Sequence, residues 1–246
     1  MNNNSESLVI GRNAVKEAIK SKRAIDTILV SNIRNKTLSD IFKQAKLRGI
    51  VVKEVDSKKL DMMSESENHQ GIIAVSAVKE YSTIDDIFKL SEERGEPPFI
   101  LILDGIEDPH NLGAIIRTAE GAGVHGIIIP KRRSVGLTYS VGKASAGAIE
   151  HIHVAKVFNI ASTVDELKKR GVWVYGTDMV GSSWCDTDMR GAVALVIGNE
   201  GKGISRLVKE KCDVLVSLPM KGKIQSLNAS VAAGIIMYEI ARQRSI

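Results

Sequence analysis

Residues Leu215 to Glu239 read L-V-S-L-P-M-K-G-K-I-Q-S-L-N-A-S-V-A-A-G-I-I-M-Y-E. The opening apolar run predicts a short strand that stops at Pro219. A polar loop follows, and a helix is expected to open near Ser226. A strand, a loop with unspent backbone donors and a helix N-terminus together make a frequent ligand cradle in α/β proteins. Here the loop is long, and Ser226, Asn228 and Ser230 crowd the helix start. One of them suffices as a cap, which leaves the others to be explained.

Two further segments follow the same plan of apolar run, then Gly- and Asn-rich loop. One is L-V-I-G-N-E-G-K-G-I-S (Leu195 to Ser205); the other is L-D-G-I-E-D-P-H-N-L-G-A-I-I-R-T-A-E-G-A-G (Leu103 to Gly123). Around them the chain from Phe99 alternates strands and helices. Strands are predicted at Phe99–Asp104, Gly126–Ile129, Ile149–Val157, Val172–Thr177, Ala192–Gly198 and Val214–Leu218. Helices are predicted at Leu112–Glu120, Ile160–Arg170, Ser205–Cys212 and Leu227–Arg242, the last with Leu227, Val231, Ile235 and Tyr238 as its apolar stripe. The alternation means a parallel sheet under helices on both faces. The first strand runs into Asp104-Gly105-Ile106-Glu107-Asp108-Pro109, which is not the Gly-x-Gly-x-x-Gly turn of a dinucleotide fold.

Ahead of this lies a smaller α/β unit. Strands are expected at Thr27–Ser31, Ile50–Val55 and Gly71–Val78, with helices at Asn13–Lys20 and Leu38–Arg48 and a polar loop at Asp61–Asn68. Thr83 and Asp86 form a candidate capping box for a short helix, Ile84–Glu93, which Gly95 and Pro97-Pro98 break. The expected division is residues 1–80, a linker at 81–96, and residues 97–246.

The chain has 246 residues, 43% of them hydrophobic, and no run long and apolar enough to span a membrane. Met1–Ser7 shows no basic-then-apolar leader, and two cysteines, Cys185 and Cys212, make no disulfide framework, so a cytoplasmic protein is expected. Of the net charge of +5, residues 1–80 hold most, with 14 Lys/Arg against 10 Asp/Glu. A basic front module suits a polyanion. Aromatic residues are 4%, so stacking platforms are scarce. His151 and His153 share a strand face but lack a third ligand, and no metal is expected. Lys131-Arg132-Arg133 is a short basic run that could grip RNA phosphates, but such a run is more often simply a solvated turn.

Together and in this order, the three segments resemble the motifs of the SpoU-type (TrmH-type) RNA 2′-O-ribose methyltransferases, a branch of the SPOUT superfamily. The resemblance rests on Asn111, Gly113 and Arg117-Thr118-Ala119; on Gly198, Glu200-Gly201 and Gly203; and on Pro219-Met220, Gly222, Ser226-Leu227-Asn228 and Ser230-Val231-Ala232. It implies a deep trefoil knot in residues 97–246. It implies a homodimer, with Glu200 beside the partner's Arg117. It also implies S-adenosyl-L-methionine as methyl donor, held by Gly198, Leu218 and Leu227 through backbone groups and lined by Thr177, Ile197 and Met220, with Gly201, Ser226 and Asn228 adjoining. Asn111, Arg117, Glu200, Ser226 and Asn228 are the implied catalytic set. Residues 1–80 resemble an L30e-like RNA-binding domain through Gly11-Arg12-Asn13 and His69-Gln70-Gly71-Ile72, which makes Arg12, His69 and Gln70 candidate RNA contacts. The two-module length points to a guanosine of large-subunit (23S) ribosomal RNA. Transfer RNA, or another rRNA site of the resistance-methylase kind, is the alternative. For single residues simpler readings stand beside these: Asn111 as a helix N-cap, Arg117 paired on the surface with Glu120, and Gly198, Gly201 and Gly203 as plain turn glycines.

Overall fold

The computed structural model describes residues 8–65 and 67–245. Met1–Ser7, read above as lacking a leader, lies outside the described residues. The chain forms two compact units. The first is residues 1–80 with Gly136–Tyr139; the second is Tyr81–Val135 with Ser140–Ile246.

The first unit is a four-stranded sheet. Its strands are β1 (Leu8–Ile10), β2 (Ile25–Val30), β3 (Val51–Glu54) and β4 (Ile72–Ser76), in the order β1-β4-β2-β3. Only β2–β3 is a parallel pair; β4 runs antiparallel to both β1 and β2. Helices α1 (Arg12–Lys20) and α2 (Ser39–Leu47) cover one face through Val15, Ile19, Ile41 and Ala45. Helix α3 (Ser57–Met63) covers the other through Leu60. Helix α3 runs on into the stretch expected as a loop, which began at Asp61. It forms because the Asp56 side chain accepts from the Lys58 N–H and caps it, and because Leu60 supplies one fully buried anchor.

The second unit holds α4 (Ile84–Arg94), β5 (Phe99–Asp104), α5 (Pro109–Gly121), β6 (Gly126–Pro130), α6 (Tyr139–Ala144), β7 (His153–Val157), α7 (Ile160–Lys169), β8 (Trp173–Ser183), β9 (Val193–Gly198), α8 (Arg206–Lys211), β10 (Val214–Ser217) and α9 (Ala229–Arg244). All six strands are parallel, in the order β10-β8-β9-β5-β6-β7. Ile100, Ile102, Ile128, Ala194 and Val196 face a core closed by α4, α7 and α8. Alternate residues such as Leu101, Leu195 and Ile197 point the other way, where α9 packs on β9 and α5.

Residues 81–96, expected as a linker, are instead built into this unit. The Thr83–Asp86 capping box is present, and Ile87 is fully buried. A Cβ on Gly126 would lie 2.4 Å from Ile87 Cγ1, so α4 sits hard against β6. Strand β8 runs to Ser183, beyond the expected Thr177, because Val216 and Ser217 of β10 pair with Ser182 and Ser183 after a register shift. Strand β7 begins at His153; the first residues of the expected strand are a 3-10 turn, Ala148–Glu150. The stripe expected to anchor α9 is largely exposed at Leu227 (38%), Val231 (50%) and Tyr238 (55%), whereas Ala233, Ile236, Met237 and Ile240 carry the burial.

Candidate active site

Parallel strands place their carboxyl ends on one edge, the usual place for a site in such a sheet. The loops after β8, β9 and β10 enclose a cleft of about 850 Å³ there, within the range of small-molecule sites. Its wall is partly apolar, from Ile197, Val216 and Ile236, and partly turn backbone. Gly198 must be glycine for a steric reason: a Cβ would lie 2.1 Å from the Gly203 carbonyl carbon. Asn199 and Gly203 close that turn with a pair of backbone hydrogen bonds, and Gly203 takes the left-handed φ of 66°. Gly201 meets no such crowding, and a Cβ on Gly222 would stand in open space.

Asn199 organises the turn and was missed in the sequence. Its Oδ1 accepts from the N–H groups of Gly201 and Lys202, and its Nδ2 donates 2.9 Å to the Gly105 carbonyl. An Asn between Gly198 and Glu200 is the signal for such a side-chain turn. The loop Leu218–Leu227 has no helix or strand, and its backbone N–H groups make no hydrogen bond among the described residues. Its donors and acceptors are therefore open to solvent or a ligand.

At the cleft's rim, Glu200 Oε1 accepts from Asn111 Nδ2 at 2.8 Å, Asn228 Nδ2 at 2.5 Å and, more weakly, Ala229 N at 3.4 Å. Asn228 Nδ2 also donates to Asn111 Oδ1 at 3.0 Å. The first, second and third segments thus meet at one carboxylate. Asn228 has a second task, because its Oδ1 accepts from Ser230 N and Val231 N as the N-cap of α9. The helix therefore opens at Ala229, two residues later than expected.

Asn111 is not a cap: Asp108 caps α5 by accepting from His110 N and Asn111 N, with Pro109 in the first turn. That frees the Asn111 side chain for Glu200. Arg117 is exposed on α5, outside the cleft lining, and makes no ion pair with Glu120 or any other described residue. Thr177, Ile197, Leu218, Met220, Ser226 and Leu227 line the cleft, as do Gly198, Gly201 and Glu200. Asn228 stands beside it through Glu200. Thr177 Oγ1 is turned to the Val196 carbonyl at 3.1 Å.

In the first unit, Arg12, His69 and Gln70 gather at one turn. Arg12 N and Nε donate to Gln70 Oε1 and Gln70 O, and Gln70 has a φ of 50°. His69 Nε2 lies 2.8 Å from Asp61 Oδ1, and its Nδ1 accepts from Gly71 N. His153 is tied to Ser82 Oγ at 2.8 Å, and no group of three His, Cys, Asp or Glu among the described residues is placed to hold a metal ion. Among the described residues no helix is long and apolar enough to cross a membrane.

A parallel α/β sheet with a glycine-turned cleft at its carboxyl edge, and three loop segments joined at Glu200, defines an α/β fold with a small-molecule cleft. Residues 98–238 match the SpoU rRNA methylase family, and residues 8–82 match the substrate-binding domain of RNA 2′-O-ribose methyltransferases. The chain belongs to the SpoU methylase family and is a methyltransferase. It is 53% identical, over 96% of both chains, to a Bacillus subtilis protein assigned to the TrmH family of tRNA/rRNA methyltransferases. Among solved structures it resembles the SpoU methyltransferase AviRb of Streptomyces viridochromogenes, in complex with AdoMet (TM-score 0.61, 25% identity, 97% of this chain and 90% of that one). It also resembles the AdoMet-bound rRNA methyltransferase of Sinorhizobium meliloti (0.60, 26%, 96% and 86%). The A. aeolicus TrmH/SpoU tRNA-modifying enzyme matches 65% of this chain and 83% of its own, at 30% identity and a TM-score of 0.56.

Proposed function

We propose that the protein transfers a methyl group from S-adenosyl-L-methionine to the ribose 2′-hydroxyl of a guanosine in 23S ribosomal RNA, acting as a homodimer. The observation that carries this reading is the joining of Asn111, Glu200 and Asn228 at the rim of the cleft. The cleft fits the donor. Its apolar wall suits an adenosine and a thioether, and the open backbone of Leu218–Leu227 suits the polar edges. Thr177, Ile197, Gly198, Gly201, Leu218, Met220 and Leu227 would hold it there. When bound, S-adenosylmethionine supplies an electrophilic methyl group on a sulfonium.

The chain's own residues then have three tasks. Ser226, Asn228 and Glu200 orient the ribose and the methionine end, since alignment carries much of the barrier for so weak a nucleophile. Asn111 fixes the carboxylate of Glu200. A guanidinium is a poor base, so Arg117 holds a phosphate and stabilises charge developing on the 2′-oxygen rather than taking its proton. That proton leaves to water or to an RNA phosphate.

The exposure of Arg117, away from the cleft of its own chain, supports a dimer in which the partner's Arg117 reaches Glu200. The apolar Leu227, Val231 and Tyr238, exposed just ahead of and along α9, support the same reading. A knot in the second unit is supported by strand order: β10 lies at the sheet edge, yet the chain after it returns to pack α9 against α5 near the centre. For an rRNA substrate, the support is that the likeness to the rRNA methyltransferase spans nearly the whole chain, whereas that to the tRNA enzyme spans about two thirds. Residues 1–80 then select the RNA, with Arg12, His69 and Gln70 at the contact. Incubating the protein with labelled S-adenosylmethionine, total rRNA and total tRNA, and mapping the methylated ribose, tests the assignment. Label confined to tRNA, or on a base rather than a ribose, overturns it.

A further inference from the structure

The loop that leaves β6, Lys131 to Val135, carries the basic run and is pinned along its length. Lys131 N donates to Val157 O of β7 at 2.7 Å, Ser134 Oγ donates to Pro130 O at 2.6 Å, and Val135 N donates to Ile106 O beyond β5 at 3.0 Å. Arg133 takes a left-handed φ of 57°. Its carbonyl and Asn199 Cβ flank Gly105: each lies 3.7 Å, an ordinary contact distance, from the point a Cβ there would occupy. The loop therefore reaches from β7 to the turn that presents Glu200. Arg132 and Arg133 are exposed and make no side-chain ion pair among the described residues.

At the β7 end, Lys131 Nζ lies 3.8 Å from the centroid of the Phe158 ring, which is 83% exposed. Lys156 Nζ lies 4.7 Å from the Tyr81 ring. Partial burial, and then the neighbouring Lys156 ammonium, push the Lys131 pKa below the ordinary lysine value, so an anion bound between the two would relieve their repulsion. From β5 to β7 is two inter-strand spacings, about 10 Å.

We propose that Lys131, Arg132, Arg133 and Lys156, with the ring of Phe158, form an RNA-binding surface on the second unit that holds the single-stranded flank of the target nucleotide. The cations take the phosphates and one unpaired base stacks on Phe158. The proposal rests on the RNA methyltransferase reading above and deepens it. The chemistry selects single-stranded RNA: a row of cations alone fits any polyanion, but an exposed ring beside it fits one that also carries flat, unpaired bases.

The test uses the full-length protein and an unstructured RNA oligonucleotide, with poly-glutamate as the polyanion without bases. Affinities are measured over a range of salt concentrations. The double variant Arg132→Ala with Arg133→Asn keeps a residue tolerant of left-handed backbone at position 133. It is expected to lower the slope of log affinity against log salt by about 1.4, two phosphates at about 0.7 each on a single strand. Phe158→Ala is expected to weaken RNA about tenfold with the slope unchanged, and to leave poly-glutamate binding as it was. Calorimetry with S-adenosylmethionine and the melting temperature report whether the variants remain folded, and both should match wild type. If wild type binds S-adenosylmethionine but neither variant alters RNA affinity or slope, the surface is overturned and the methyltransferase reading stands. If Phe158→Ala weakens poly-glutamate as much as RNA, base stacking is wrong and the proposal falls. If wild type shows no S-adenosylmethionine binding or methyl transfer while the variants still weaken RNA, the surface survives and the enzymatic reading fails.

Discussion

Replacing Asn228 separates its two tasks. In Asn228→Ala the α9 cap is lost, including the 2.9 Å bond from Ser230 N, at about 1 kcal/mol. Glu200 also loses the 2.5 Å bond from Asn228 Nδ2. Because Asn228 is exposed, water replaces much of that bond, so the combined loss is about 1–2 kcal/mol. In a unit of this size that lowers the melting temperature by roughly 3–6 °C. In Asn228→Asp the cap survives, but a carboxylate replaces the amide against Glu200. Two like charges at that distance raise each other's folded-state pKa above the unfolded value near 4. A group raised on folding is fully accommodated below its unfolded pKa, and its contribution is lost as pH rises through the folded pKa. The Asp variant should therefore melt closest to wild type at acid pH and fall progressively below it as pH rises and both carboxylates ionise, whereas the Ala variant should show a nearly constant gap. Melting followed by circular dichroism as a function of pH is the assay. A constant gap for the Asp variant, or wild-type melting for the Ala variant, would refute the arrangement of Asn111, Glu200 and Asn228 described here.

Arg117→Ala should abolish methyl transfer to RNA while calorimetry still shows S-adenosylmethionine binding, and Arg117→Lys should rescue little, because an ammonium lacks the guanidinium fork; turnover near wild type in either would remove Arg117 from the mechanism. Gly198→Ala places a methyl group 2.1 Å from the Gly203 carbonyl carbon, so a loss of about 1–3 kcal/mol from overpacking and weaker cofactor affinity are expected, read by melting and calorimetry. Burial, and then Asp213, push the Cys212 thiol up to about 11, leaving about one thiolate in a thousand at pH 8. Mass spectrometry after brief alkylation of the native protein should find label on the exposed Cys185 and almost none on Cys212, and equal labelling would contradict the burial of Cys212.

The parts legible in the sequence are those where one physical rule acts alone. Phe99–Leu103 is apolar throughout because it is buried on both faces, and the strand Phe99–Asp104 is found with the residues expected. Thr83 and Asp86 announce a cap that needs nothing beyond its own helix. Where two rules compete, reading along the chain picks the wrong one. Asn111 has the chemistry of an N-cap, but Asp108 ahead of Pro109 takes that role. Val231 and Tyr238 are apolar at helical spacing, yet the smaller Ala229 and Ala233 share the buried face, because α9 lies close against its neighbours: a Cβ on Gly234 would stand 3.5 Å from Thr118 Cγ2. Asn199 acts mainly through contacts local to a turn, whereas Glu200 gains its partners from residues 89 and 28 positions away. No local pattern reports such meetings.

The partners of Glu200 also bear on when the protein becomes competent. Two of its three donors, the Asn228 side chain and the Ala229 N–H, come from the last tenth of the chain. The end of α9 is fastened by Arg244, which donates to the carbonyls of Pro97, Pro98 and Gly191. A chain made from its amino end exposes the first unit and most of the sheet long before these residues exist. The first unit, which matches the substrate-binding family, is thus available early in synthesis, while the carboxylate at the cleft has only Asn111 to hold it. The cluster at Glu200 is complete only with the final helix, so a prematurely terminated copy would carry the first unit beside an unfinished cleft.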